Sequence, residues 1–158
     1  MFTALVKTTI AAGGLAESTR DIDAIAVWLP PGKDLGLVAQ VKAGFALPRF
    51  VKGIPAADRK RMMSFLRQVD GRKKELMPQP HWYLSAIGVD PDRQGSGLGS
   101  TLVKAGMERA RQAGKSVYLE TETPGNVAFY ERLGFRVVEE IEAVGIGVPI
   151  WLMRWDPA

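Results

Sequence analysis

Arg93-Gln94-Gly95-Ser96-Gly97-Leu98-Gly99-Ser100 is the stretch on which the fold turns. It joins two segments of different character. Before it, Trp82–Val89 is rich in aromatic and branched residues and reads as a strand. After it, Leu98–Ala113 places Leu98, Leu102 and Ala105 on one side and meets Gly114, the pattern of a helix and its stop. Glycines at 95, 97 and 99 allow positive φ and a close approach of backbone to ligand. Free N–H groups at a helix start, backed by the helix dipole, form a site for phosphate, and the Ser100 and Thr101 hydroxyls add donors. A Walker-type loop is excluded because no Lys follows the glycines. A dinucleotide loop fits less well: Ser100 occupies the third glycine position and the polar Asp90–Gln94 segment intervenes. Glu120, at the end of the next strand, could still mimic a ribose-binding acid, so this alternative stays open.

Working outward, Phe2, Leu5, Val6, Thr9 and Ile10 fall at helical spacing, and Gly13-Gly14 stops the run. Strands follow at Leu15–Ser18 and Ile22–Leu29, with Ile22, Ala24, Ala26 and Trp28 on one face of the second. Asp34–Arg49 and Ala56–Val69 read as helices, and Gly71–Pro80 as a basic, proline-punctuated link. Ser116–Glu120 is a short buried strand, Asn126–Leu133 a short helix ended by Gly134, and Phe135–Ala143 and Pro149–Trp155 two further strands. The unit spanning residues 82–120 has the length of a crossover, which predicts a parallel pair, and the hairpin-like end predicts antiparallel pairing. The expectation is one α/β domain over residues 1–158 with a mixed sheet.

Composition narrows the chemistry. At 158 residues the chain suits one domain, and 46% apolar with 24% charged residues is ordinary globular composition. Zero Cys excludes disulfides, Cys-based zinc sites and thiol catalysis, and a single His excludes a multi-His metal site. A net charge of +4 favours an anionic small ligand. Arg59–Arg61 and Arg72–Lys74 lack interleaved aromatics, so nucleic acid is not expected as a partner. The mostly uncharged run Ala143–Met153 is shorter than a membrane span needs, and no secretory signal opens the chain, so a cytoplasmic protein without membrane association is expected.

The spacing Gln94-x-x-Gly97-x-Gly99 resembles the acyl-CoA signature of the GNAT superfamily of N-acyltransferases, and Asn126-Val127-Ala128-Phe129-Tyr130-Glu131-Arg132-Leu133-Gly134-Phe135 resembles its later helix and turn. Trp82–Val89, Leu119-Glu120-Thr121 and Asn126–Phe135 together look like the puromycin N-acetyltransferase branch. This resemblance implies a mixed, largely antiparallel central sheet with a splayed parallel pair, flanked by helices. It implies an acyl-CoA-binding core over residues 82–135 and a helical insertion over 33–80 on the acceptor side. The implied reaction is direct transfer of an acetyl group from acetyl-CoA to a primary amine of a small molecule. Ile87 and Val89 would pair with the pantetheine arm through their main chain. The amides of Gln94, Gly95, Ser96, Gly97, Leu98 and Gly99, with Ser100 beside them, would hold the pyrophosphate. Asn126 would hydrogen-bond the CoA arm, and Tyr130 would stand near the sulfur as general acid.

Glu120 is the candidate base and Glu122 the next choice, since a carboxylate at the C-terminal end of a strand faces the crevice of an open sheet. Two departures from the family stand out. Asn126 lies closer to Tyr130 than in most of the superfamily. Family members also begin with a strand and helices absent here, Met1–Gly13 resembling the tail of the second helix. The resulting expectation is an incomplete acceptor side, reflecting a truncated start, a gap filled by a neighbouring subunit in a homodimer, or weak acceptor binding; the alternative is a non-catalytic acyl-CoA-binding or regulatory module.

Overall fold

The computed structural model describes residues 2–33, 55–143 and 147–158. The helix expected over Asp34–Arg49, and with it much of the expected insertion, lies outside the described residues. The strands are β1 (Leu15–Ser18), β2 (Ala24–Leu29), β3 (Trp82–Val89), β4 (Val117–Thr121), β5 (Arg136–Glu142) and β6 (Pro149–Trp155). Among them stand helices α1 (Phe2–Ala11), α2 (Ala56–Leu76), α3 (Leu98–Gln112) and α4 (Pro124–Glu131). The strands form one six-stranded sheet in the order β1-β2-β3-β4-β6-β5. Among the described residues only β3 and β4 pair in parallel, and the crossover between them is α3. This is the mixed, largely antiparallel α/β architecture expected from the sequence.

The alternation of β3 and β4 divides their side chains between two faces. On one face Ala24, Ala26, Trp28, Trp82, Leu84, Val117 and Leu119 pack against Leu102, Val103 and Met107 of α3 and Tyr130 of α4. On the other face Tyr118, Ile150 and Leu152 form a second cluster with Met77, flanked by Phe65 and Leu76 of α2 and by Tyr83. Trp82 and Tyr83 therefore serve opposite faces, as their adjacency in a strand requires. Arg109 bridges α3 to the sheet edge by pairing with Glu17 and stacking 5.5 Å from the Trp82 ring.

The register between β2 and β3 slips at one point. Trp28 pairs with Leu84 and Val27 with Ala86, which leaves Ser85 as an extra residue on β3. A bulge of this kind bends its strand. β3 pairs with β4 only at Trp82↔Val117 and Tyr83↔Tyr118, immediately before the bulge, and runs on alone with β2 to Val89.

Three boundaries differ from those expected. Gly71–Pro80 is not a link: α2 continues to Leu76 and stops just before Pro78. Gly71 is absorbed because Asp70–Lys74 and Arg72–Glu75 ion pairs span the turns around it and Leu76 and Met77 reach the second cluster. Ile22 is not part of β2: it has φ 60 and is 73% exposed, in a turn whose N–H reaches Thr19 O at 3.1 Å. α4 begins at Pro124, earlier than expected, because Thr123 caps it by accepting from Asn126 N–H and proline suits the first turn. No helix among the described residues is long and apolar enough to cross a membrane.

Asp156 ties the end of the chain to the sheet. It accepts from Ser116 Oγ at 2.5 Å, Arg154 Nε at 2.7 Å and Arg136 at 2.7 Å. Partial burial alone would push its pKa up, but the donors of Ser116, Arg154 and Arg136 outweigh it and hold it at about 2. A carboxylate depressed on folding stabilises above its unfolded pKa and loses that contribution as pH falls through the folded one. Asp156→Asn is expected to lower stability at neutral pH, with the gap closing between about pH 4 and 2, as read by urea unfolding across pH. A second test concerns Gly106, where an added Cβ would sit 2.1 Å from Cζ2 of the fully buried Trp28. Gly106→Ala should cost about 1–3 kcal/mol or more in the same measurement.

Candidate functional site

The departure of β3 from β4 opens a 530 Å³ cavity at the C-terminal end of β3. Ile87, Gly88 and Val89 of β3 form one wall. Asp90 begins the loop by accepting from Asp92 N–H at 2.9 Å, capping a single 3-10 turn over Pro91–Arg93. Gly95 and Gly97 then take φ of 78 and 84, the left-handed region that favours glycine. Gly97 is the N-cap of α3. Thr101 N–H makes the first bond of that helix, to Gly97 O at 3.0 Å, so the N–H groups of Leu98, Gly99 and Ser100 precede the intrahelical ladder. A Cβ on Gly99 would meet Val89 at 3.4 Å, Ile87 at 3.6 Å and Phe129 at 3.7 Å, which is the space between the cavity walls.

Most residues singled out in the sequence converge here. Ile87, Val89, Gln94, Gly95, Gly97, Leu98, Gly99, Ser100, Asn126 and Tyr130 all line the cavity. Two of the amides expected to face a ligand are engaged within the loop: Gln94 N–H reaches Pro91 O at 3.4 Å and Ser96 N–H reaches Arg93 O at 3.3 Å. Ser96 also turns its hydroxyl to Arg93 O and does not line the cavity. The Gln94 amide side chain reaches back to Val89 O at 3.4 Å, along the strand edge that the bulge exposes.

Tyr130 is buried on α4. Its ring meets Phe129 and Phe135 edge-on, with centroids 5.0 and 5.6 Å away. Burial, with Glu122 nearby, pushes its phenol pKa up to about 12, so the hydroxyl keeps its proton across the neutral range. Such a group is a proton donor.

Glu120 is not brought into this cavity. It follows Tyr118 by two positions and shares its face, the α2 side of the sheet, opposite Tyr130. Its surroundings are the Tyr83 hydroxyl, Lys73 of α2, Tyr118 and Glu122. Burial pushes its pKa up, while hydrogen bonding from Tyr83 and the charge of Lys73 pull the other way. Glu122 lies exposed just past β4 and is felt electrostatically by both Tyr130 and Glu120.

Sequence reasoning passed over Arg93, Phe129 and Arg132, which also line the cavity. Each belonged to a quoted motif, but a loop or helix-end cation looks the same in sequence whether it serves a site or only solvent. Arg93 also approaches Asp23 at 3.7 Å, beside the turn that leads into β2.

Residues 58–135 match the model of the acetyltransferase (GNAT) family. This segment resembles the GNAT-family acetyltransferases. Among curated proteins, the mycothiol acetyltransferase of Actinosynnema mirum is 32% identical over 126 residues, covering 66% of this chain and 42% of that protein. The mycothiol acetyltransferase of Saccharomonospora viridis is 45% identical over 56 residues, 34% of this chain and 18% of that protein. The chain thus spans less than half the length of these relatives. They are named for mycothiol, so the puromycin-type branch expected from the sequence is not what these relatives support. Among solved structures, the histone acetyltransferase HPA2 and related acetyltransferase from Corynebacterium glutamicum superposes with a TM-score of 0.60 at 23% identity, over 99% of this chain and 74% of that one. The polyamine N-acetyltransferase of Drosophila melanogaster gives 0.59 at 16% identity, over 85% and 69%. At these identities the likeness is one of fold.

The left-handed backbone at Gly97 gives a direct test of the loop. Gly97→Ala should cost about 1–2 kcal/mol of stability from the side chain's clash in that region, whereas Gly125→Ala, where added volume meets open space at ordinary backbone angles, should cost far less; thermal unfolding of both variants decides.

Proposed function

We propose that this GNAT-like domain transfers an acetyl group from acetyl-CoA to a primary amine of a small molecule by direct transfer. The observation that carries the reading is the coincidence of three features in one cavity: the unpaired edge of β3, the glycine loop with the α3 N-terminus, and the buried phenol of Tyr130. The residues present suit acyl-CoA. An extended pantetheine arm finds strand-like main chain at Ile87 and Val89. A pyrophosphate finds the N–H groups of Gly95, Gly97, Leu98, Gly99 and Ser100 at the start of α3. Arg93 and Arg132 add positive charge at the same cavity. Asn126 lines the cavity from α4 and would hydrogen-bond the arm.

Acetyl-CoA supplies an activated acyl group as a thioester. The amine nitrogen forms a bond to the carbonyl carbon, and the carbon–sulfur bond breaks. The departing sulfur takes the Tyr130 proton, a role that suits a phenol kept protonated by its burial. A main-chain N–H on the free β3 edge is available to the carbonyl oxygen as charge develops there. The proton lost by the amine goes to a carboxylate, for which Glu120 is the candidate.

The separation of Glu120 from the Tyr130 cavity favours one other reading, a module that binds acyl-CoA without turnover. Incubation with acetyl-CoA and a panel of amines, followed by free thiol, distinguishes the two: amine-dependent thiol release is expected, and CoA binding with no release on any amine supports the binding module. Tyr130→Phe should lower turnover by about 100-fold and leave the Kd for CoA unchanged; equal loss of both assigns the tyrosine to packing.

A further inference from the structure

We propose that Tyr83 is the positioning residue of this site: its hydroxyl holds the Glu120 carboxylate in line with the gap between β3 and β4, so that Glu120 receives the amine proton from the α2 side of the sheet. The inference rests on the acyl-transfer reading above and adds a residue that no motif singled out for this task.

Tyr83 is the last residue of β3 that pairs with β4, opposite Tyr118. It therefore stands on the final fixed rung of the parallel pair. Glu120 lies two residues further along β4, beyond the point where β3 bends away at Ser85. The Tyr83 side chain reaches across that divergence to the carboxylate. Its own ring is held from two sides, by Tyr118 with centroids 6.0 Å apart and by Lys73 Nζ 5.1 Å above its face. A short, doubly braced aromatic is a rigid arm for a hydrogen-bond donor.

The type of donor matters as much as its position. On the same face Glu139 is gripped by the fork of Arg72, with two bonds of 2.8 Å. A guanidinium fork engages both oxygens of a carboxylate with charged donors. Glu120 is instead held by a neutral phenol, which orients an oxygen while leaving the group able to take a proton. The titratable groups that face Glu120 are Tyr83 from β3, Lys73 from α2, and Tyr118 and Glu122 from β4. Behind them, Glu139 of β5 acts on Tyr118 and His81 meets the Tyr118 ring edge at 6.0 Å. The strand separation interrupts the sheet between this cluster and Tyr130, so an acyl group placed in the gap is reached by an acid from one face and a base from the other.

The test is kcat/KM against pH for the full chain, with the best amine found in the panel. The wild type should show an acidic limb set by Glu120, and Glu120→Gln should lose that limb and about 100-fold in kcat/KM. Tyr83→Phe removes a bond to the charged form, so the limb should move to higher pH and kcat/KM should fall about 10-fold, with the KM for acetyl-CoA unchanged. His81→Gln should leave the limb in place. Site-specific 3-fluorotyrosine at position 83 serves even where Tyr83→Phe fails to fold: a more acidic phenol is a stronger donor, and the limb should move to lower pH. A limb unmoved by either change at Tyr83, in an active enzyme, overturns the positioning role alone. Absence of turnover in the wild type on every amine overturns the acyl-transfer reading and this inference with it.

Discussion

Everything in the site follows from one irregularity of the sheet, the extra residue Ser85 in β3. A parallel pair with regular register would have carried β4 alongside β3 as far as Ala86. The bulge bends β3 after only two paired positions, Trp82 and Tyr83. What remains is an edge inside the sheet: strand on one side through β2, and open backbone on the other. The cavity, the α3 N-terminus at its end and the Tyr130 phenol at its side are arranged around that edge.

The bend needs a stiff frame. On one face Trp28, with no exposure at all, lies under Gly106 of α3 so closely that no side chain fits between them. That contact sets the distance between helix and sheet, and with it the position of the α3 N-terminus relative to Val89. Arg109, held between Glu17 and the Trp82 ring, fixes the far half of the same helix. On the other face α2 crosses the start of β3 and the β4–β6–β5 region, bringing Lys73 over Tyr83 and Arg72 onto Glu139. The two faces thus carry different groups: a glycine loop with a helix N-terminus and a protonated phenol on the α3 side, and a carboxylate cluster on the α2 side.

Much of this architecture was readable in the residues. Gly95, Gly97 and Gly99 before an amphipathic helix announce a strand–loop–helix turn, because positive φ and open amides leave few other uses for glycines so spaced. Trp82 and Tyr83 had to serve opposite faces because adjacent strand residues do. The crossover length between Trp82 and Glu120 required a parallel pair. Other features resisted. The continuation of α2 through Gly71 depends on ion pairs and on Leu76 and Met77 finding the second cluster, and a glycine followed by lysines and prolines reads locally as a linker. The displacement of Ile22 out of β2 reflects a turn closed by Thr19, a contact that hydrophobic alternation does not register.

The site divides in the same way. The sequence by itself determined the glycine loop before α3, the family resemblance and the presence of Tyr130, since these depend on residue types at short, fixed spacing. Only the tertiary structure decided that Arg93 and Arg132 join the cavity, that the Ser96 hydroxyl turns back on its own loop, and that Glu120 faces away from Tyr130 toward Tyr83 and Lys73. The physical reason is range. Backbone conformation and helix starts are set by neighbours in the chain. The face on which a carboxylate lies, and what encloses it, depends on the register of strands far apart in sequence and on where one bulge lets them part.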